Sequence, residues 1–323
     1  MKQRRFIILY FIYLLCLSSC TCSNSRIVFP ETREIKAELV YIAEIIKPDF
    51  LTMKGNYLII SSSETDPMIY TYSLPFLTFS KASVNKGRGP GEIPFFPMFC
   101  ESPGSEMLYI SGYTPTSIGR NEIKVDGALL LKEEIQLGRF EARNNMSVVN
   151  DSIFIYYNMD DLAIIKCDLN TQKTLDVIPF EHDRHGEPFY FSNRGYPANN
   201  ENFIVYPYLF KKQIDIYDLK SFKLNKSLKW KVNTQIPIPG DPSVLTYHYS
   251  YVYAGENYFY ALYGGNKGEK PEDIRLEVFD YAGNPVREYI LDVRPAIFAV
   301  DEKNAMLYGI NYNDTEHFVK YNL

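Results

Sequence analysis

Past its first apolar run, the chain carries its hydrophobic residues in short bursts, each introduced by a polar turn. The bursts are "KGNYLIISS", "GSEMLYISG", "VNDSIFIYY", "NNENFIVYP", "GENYFYALY" and "EKNAMLYGI". The polar residues that open them are Asn56, Glu106, Ser152, Asn202, Asn257 and Asn304, at gaps of 50, 46, 50, 55 and 47. A second burst follows each one and stops in a turn at Ser73, Asp126, Asp168, Asp218, Asp280 or Asn322. Asp and Asn suit that place because their side chains bond back to the local backbone. A further strand leaves the turn, as in "QKTLDVIPF". No stretch longer than 10 residues beyond the N-terminal run shows helical periodicity.

Internal repetition at this period outranks the two-domain expectation that length alone would give. Six units of three or four short strands predict an all-β chain folded as a six-bladed β-propeller over residues 34–323. The abundance of Tyr (27) and Phe (21) agrees with it, since aromatic residues pack well on half-buried pleated faces. The sixth unit stops after its third strand, while "EIKAELVYIAEII", Glu34 to Ile46, is strand-like and precedes the first unit. Ring closure by this N-terminal strand is therefore expected, because a closed ring leaves only short, protected sheet edges. A β-sandwich is the competing architecture, and the even spacing argues against it.

The first residues give an address. Lys2, Arg4 and Arg5 precede an unbroken apolar run from Phe6 to Leu17, too short to span a bilayer but suited to an export signal. "LSSC", Leu17 to Cys20, follows and resembles a bacterial lipobox. That resemblance implies a signal peptide over 1–19, lipidation at Cys20 and a polar tether over 20–33. It implies a place in the cell envelope, bound to membrane through the lipid, with the periplasmic side of the outer membrane favoured. Removing residues 1–19 takes away three positive charges and no negative ones, so the net charge moves from −5 to −8. An acidic mature chain is unsuited to nonspecific nucleic-acid binding. Cys100 and Cys167 lie in apolar surroundings, which favours buried thiols over a disulfide, and no C-x-x-C pair supports a zinc or redox site.

The stretch "NKGRGPGEIPFFP" invites a nucleotide reading that its prolines refuse. Pro94 and Pro97 fall where a dinucleotide-binding helix would run, and Gly91-Glu92-Ile93 replaces the G-K-[ST] of a phosphate loop. Gly87, Gly89, Pro90, Gly91 and Glu92 are instead expected to form a corner between the first and second blades, with Ile93, Phe95 and Phe96 wedged between them. Here the chain resembles the TolB-like six-bladed propeller lipoproteins of Bacteroides and relatives, and the inter-blade segment of NHL repeats. Ile93 departs from the Phe usual in that motif. The resemblance implies fold and address more than activity.

Candidate chemistry is sparse. "FEHDRHGEPFYF" groups His182 and His185 with Glu181, Asp183 and Glu187 at a density that can bind metal, but a solvated loop is the expected state. "GGNKGEKPED", Gly264 to Asp273, reads as an inserted loop in the fifth unit. His248 and Trp230 read as packing residues. No G-x-S-x-G elbow is present. No metal, cofactor or catalytic set is expected. The leading functional expectation is a non-enzymatic binding module for a protein or glycan partner. The alternative is a metal-dependent hydrolase or lyase acting on a sugar or lactone at the propeller channel.

Overall fold

The computed structural model describes residues 27–114, 116–138, 143–180, 193–230, 246–267 and 273–323. The strands of each burst pair with their sequence neighbours into antiparallel sheets, because they are short apolar runs buried on both faces and the turns between them are short. Blade 1 is β3 (Phe50–Lys54), β4 (Tyr57–Ser61), β5 (Ile69–Ser73) and β6 (Thr78–Ser83). Blade 2 is β7 (Met98–Cys100), β8 (Leu108–Ser111), β9 (Ser117–Ile123) and β10 (Leu129–Gln136). Blade 3 is β11 (Arg143–Val149), β12 (Ile153–Asn158), β13 (Ala163–Asp168) and β14 (Thr174–Pro179). Blade 4 is β15 (Ala198–Asn199), β16 (Phe203–Pro207), β17 (Gln213–Asp218) and β18 (Lys223–Lys229). Blade 5 is β19 (Thr246–Ala254), β20 (Tyr258–Lys267), β21 (Ile274–Asp280) and β22 (Pro285–Leu291). Blade 6 is β23 (Pro295–Asp301), β24 (Met306–Asn311) and β25 (His317–Asn322). No helix occurs among the described residues.

The N-terminal segment completes two blades. β2 (Glu38–Tyr41) pairs antiparallel with β25, Glu38 opposite Lys320 and Tyr41 opposite His317, and so supplies the fourth strand of blade 6. The ring is closed by this N-terminal strand. β1 (Thr32–Ile35) adds a fifth strand to blade 5, parallel to β22, with Thr32 opposite Glu288. Phe29 packs edge-on against Phe279 at 5.2 Å, and the Glu31 carboxylate accepts a hydrogen bond from Arg287 at 2.7 Å. The globular body therefore starts before residue 34. The sequence expectation of a tether through residue 33 missed this because "FPETRE" is polar, and a parallel edge strand held by charge pairs carries no apolar alternation.

Six hydrophobic clusters hold the blades, one at each consecutive interface. Leu58, Tyr72, Tyr308 and Phe318 join blades 1 and 6, and Ile59, Ile93 and Ile110 join 1 and 2. Tyr109, Val148 and Phe154 join 2 and 3, and Tyr157, Tyr206 and Phe180 join 3 and 4. Phe259, Phe279 and Ile216 join 4 and 5, and Leu276, Phe298 and Tyr321 join 5 and 6. Tyr and Phe supply the largest fully buried side chains, because wide, flat rings fill the gap between twisted sheets that splay apart outwards.

The up-and-down order gives the propeller two faces. One carries the turns between first and second strands and between third and fourth; we call it the turn face. The other carries the remaining loops and the crossings from blade to blade, and is the crossing face. Asn56, Ser152, Asn202, Asn257 and Asn304 all lie on the turn face, as do Asp126, Asp168, Asp218 and Asp280, where their spacing placed them.

Candidate functional site in the central channel

The first strand of each blade faces the axis. β3 lies beside β7 and β23, β7 beside β11, and β19 beside β15 and β23. They enclose a chamber of about 450 Å³, lined by all six blades. Its polar wall includes Glu101, Arg143, Asn144, Asn145, Ser147, Asn199 and Ser250. Its aromatic and apolar wall includes Phe50, Phe99, Tyr196, Tyr251, Tyr253 and Ile297. A second chamber of about 370 Å³ opens on the turn face and carries Glu106, Glu201 and Glu256. Glu101, Asn199 and Tyr253 border both chambers and so form a waist between them.

Two local features of the sequence shape the first chamber. β11 reads "RNNMSVV", and its register against β12 breaks between Asn144 and Ser147. Within that bulge Asn145 adopts a left-handed backbone, φ +46°, which Asn tolerates better than other residues with a side chain. The extra residue leaves Asn145 exposed on the chamber wall, where a regular strand would alternate it away. Two positions further on, Ser147 is 1% exposed and its hydroxyl has no hydrogen-bond partner among the described residues, nor has that of Ser250. A buried hydroxyl left unpaired costs on the order of 1–3 kcal/mol.

Electrostatics divide the two chambers. Glu101 is walled in by protein at the waist, and burial pushes its carboxyl up, against the opposing pull of Lys54 and a Thr52 hydrogen bond. Tyr251 and Tyr253 are pushed up as well, by burial first and then by the charge of Glu101. Lys54 is pushed down by burial, although Glu101, Glu106, Asp151 and Glu201 all favour its charged form. Its ammonium donates to the Ser102 carbonyl at 2.7 Å and hydroxyl at 3.1 Å. In the inner chamber Arg143 spreads its guanidinium over the Tyr156 ring at 5.3 Å and donates to the Leu137 carbonyl at 2.9 Å. The inner chamber is thus close to neutral and the outer one acidic.

The glycine-rich corner lies elsewhere. Gly87 to Glu92 crosses from blade 1 to blade 2 on the crossing face, and Lys86 bridges to Ile93. The Glu92 carboxylate folds back and accepts the Gly89 amide hydrogen at 2.8 Å. A Cβ on Gly87 would stand 1.9 Å from that carboxylate, and one on Gly89 3.0 Å, while Gly91 has φ +78°. Ile93 is fully buried between blades 1 and 2. Phe95 and Phe96, expected as wedges beside it, are 48% and 60% exposed. Of the three, only Ile93 enters the interface, beside Ile59 and Ile110, and the backbone of Phe96 is pinned against Gly112 with its side chain turned outward.

His248 is buried and stacked on Tyr263 at 5.9 Å, and Trp230 packs beside Tyr249 and Phe279, as packing residues do. Cys100 and Cys167 are buried thiols in the cluster between blades 2 and 3, with no disulfide between them. Gly264 to Lys267, expected as loop, is the end of β20, paired through Lys267 with Thr246, while 268–272 lie outside the described residues. The segment Glu181 to Glu187 with His182 and His185 lies outside the described residues, as do Cys16, Cys20 and Cys22. Among the described residues, no three His, Cys, Asp or Glu side chains stand together as metal ligands would.

The channel residues were not legible as a set in the sequence; the one available signal was the Asn-Asn pair in an otherwise apolar strand. The family model for TolB-like 6-blade propeller-like proteins matches residues 29–303. The chain belongs to this family. The TolB-like propeller here shares its fold with a putative exported protein from Bacteroides fragilis, at 11% identity and a TM-score of 0.59, covering 90% of this chain and 98% of that one. It is also similar to U3-55K, at 9% identity and a TM-score of 0.53, covering 89% and 98%. At these identities the likeness is one of fold. No curated protein sequence matches the chain.

Proposed function

We propose that this TolB-like propeller is an exported, lipid-anchored binding module of the cell envelope, held through Cys20, whose inner chamber receives part of a neutral glycan. The observation that carries the reading is the bulge in β11, which holds Asn145 in a left-handed conformation and turns it into the chamber. Strain of this kind persists where the surrounding structure enforces it and clusters at binding sites. The lining supports the ligand class. Amides from Asn144, Asn145 and Asn199, unpaired hydroxyls of Ser147 and Ser250, and the rings of Tyr196, Tyr251 and Tyr253 offer neutral hydrogen bonding beside flat apolar surface. A sugar ring presents that same combination. The volume falls within the range of small-ligand pockets and is too confined for a folded partner. The basic-then-apolar leader with "LSSC", and the likeness to an exported protein, support the address.

The test is saccharide binding by the protein with Cys20→Ser, followed by calorimetry and thermal shift. Asn145→Gly keeps the left-handed backbone and removes the amide. It should leave the melting temperature unchanged or higher and weaken binding at least about tenfold, or 1.4 kcal/mol. Equal saccharide affinity in both proteins, or no saccharide binding at all, would sink this reading.

A further inference from the structure

We infer that the inner chamber takes a saccharide chain by its end, entering from the crossing face, and does not grip the interior of a chain; this rests on the glycan reading of the channel. All six blades contribute to the wall, with residues from the crossing-face halves of β3, β7 and β23. Walled on every side, the chamber is reached only along the axis. A chain held by its middle would have to leave at the far end.

The far end is obstructed. Glu101, Asn199 and Tyr253 line the waist where the two chambers adjoin. Beyond them the blade 2 turn, Ser102 to Ser105, leans inward across blade 3. Gly104 (φ +69°) comes so close to its neighbours that a Cβ there would stand 1.9 Å from the Asn150 side-chain oxygen and 2.9 Å from the Glu201 carboxylate of blade 4. The turn is tied in that position. Lys54 holds the Ser102 carbonyl at 2.7 Å, the Asn150 amide donates to the Pro103 carbonyl at 3.1 Å, and Ser105 donates to Asp151. Past the waist the lining gains the carboxylates of Glu106, Glu201 and Glu256 beside the amides of Asn200 and Asn202. A chain that enters from the crossing face meets the tied turn and stops.

The test uses hexasaccharides of glucose, mannose, galactose and N-acetylglucosamine, each presented free, tethered by either end, and tethered by both ends. At least one should bind free and when held by one end. The same sugar held at both ends should bind at least about 100-fold more weakly, because no end can enter. Equal binding of the doubly tethered form overturns the end-on geometry and leaves the glycan reading standing. Binding of none of the four removes both. The entry face is read separately with Glu201→Lys and Glu256→Lys, two exposed residues on the turn face. Entry from the crossing face leaves the free hexasaccharide affinity within about twofold of the unaltered protein; a change beyond about tenfold places the entry on the turn face and overturns the proposal.

Discussion

At the scale of single residues, buried charge and buried imidazole make the clearest predictions. Between blades 4 and 5 the Lys212 ammonium lies 3.9 Å from the Tyr263 ring and 5.1 Å from Trp230, and 3.2 Å from the fully buried Glu277 carboxylate. Tyr249 donates to the other Glu277 oxygen at 2.8 Å. Burial raises the Glu277 carboxyl, and Lys212 opposes that rise. Lys212→Met removes the opposing charge and should cost about 3–5 kcal/mol at neutral pH. A carboxyl raised in the folded state favours folding below its unfolded value of 4.5 and withdraws that support as pH climbs towards the folded value. The Lys212→Met deficit should therefore shrink in acid, as denaturant melts at several pH values would show. His248 works in the opposite direction. Burial, then Lys212, lowers it to about 4 from 6.5, so the folded protein resists a proton that the unfolded chain accepts. Stability contributed by neutral His248 is present above 6.5 and lost as pH falls towards 4, by up to about 3 kcal/mol. His248→Phe should flatten that acid limb. In the glycine corner, Gly87→Ala and Glu92→Ala disturb the same fold-back of Glu92. Each should cost about 1 kcal/mol, with the double variant costing clearly less than both together.

At the scale of elements, legibility in the sequence followed the hydrogen-bond pattern. Second and third strands are buried on both sides and bounded by Asn and Asp turns, so "NYLIIS" and "DLKSF" declared both strand and turn. First strands gave little sign: β15 has 2 residues and β7 has 3, and their side chains face a polar channel rather than a core. That is why the channel wall could not be assembled from spacing, and why Asn145 was not singled out: a bulge is a one-residue slip against a partner 13 residues away, invisible along the chain. β2 announced itself as strand-like apolar sequence, whereas β1 is fixed by Glu31, Arg287 and Glu288 and by Asp292, which accepts the Ala37 amide hydrogen at 2.9 Å. Deleting residues 27–35 should lower the melting temperature while preserving one sharp transition. Deleting residues 27–41 should broaden or abolish it, since blade 6 loses its outer strand. A sharp, unshifted transition in the longer deletion would contradict ring closure as the source of cooperativity.

At the scale of the molecule, six interfaces of similar make-up share one load, and none can open without parting two blades. Cys100 and Cys167 report on one of them from inside. Burial pushes the Cys100 thiol up, so its nucleophilic form is suppressed as well as covered. Thiol reagents should leave both cysteines unmodified in the folded protein and modify both together in denaturant. The rate in native buffer should track global unfolding and not the fraying of a single blade.

The pairing of β2 with β25 also sets a clock. The Glu38 and Lys320 side chains that meet at 2.8 Å are 282 positions apart. The strand that seals the ring is made long before its partner. Until the last strand has left the ribosome, no arrangement of the first blades can seal, and contacts of such separation form late. The polypeptide therefore remains open while it grows. A chain cut short before β25 would keep two bare strand edges, which invite pairing with other chains.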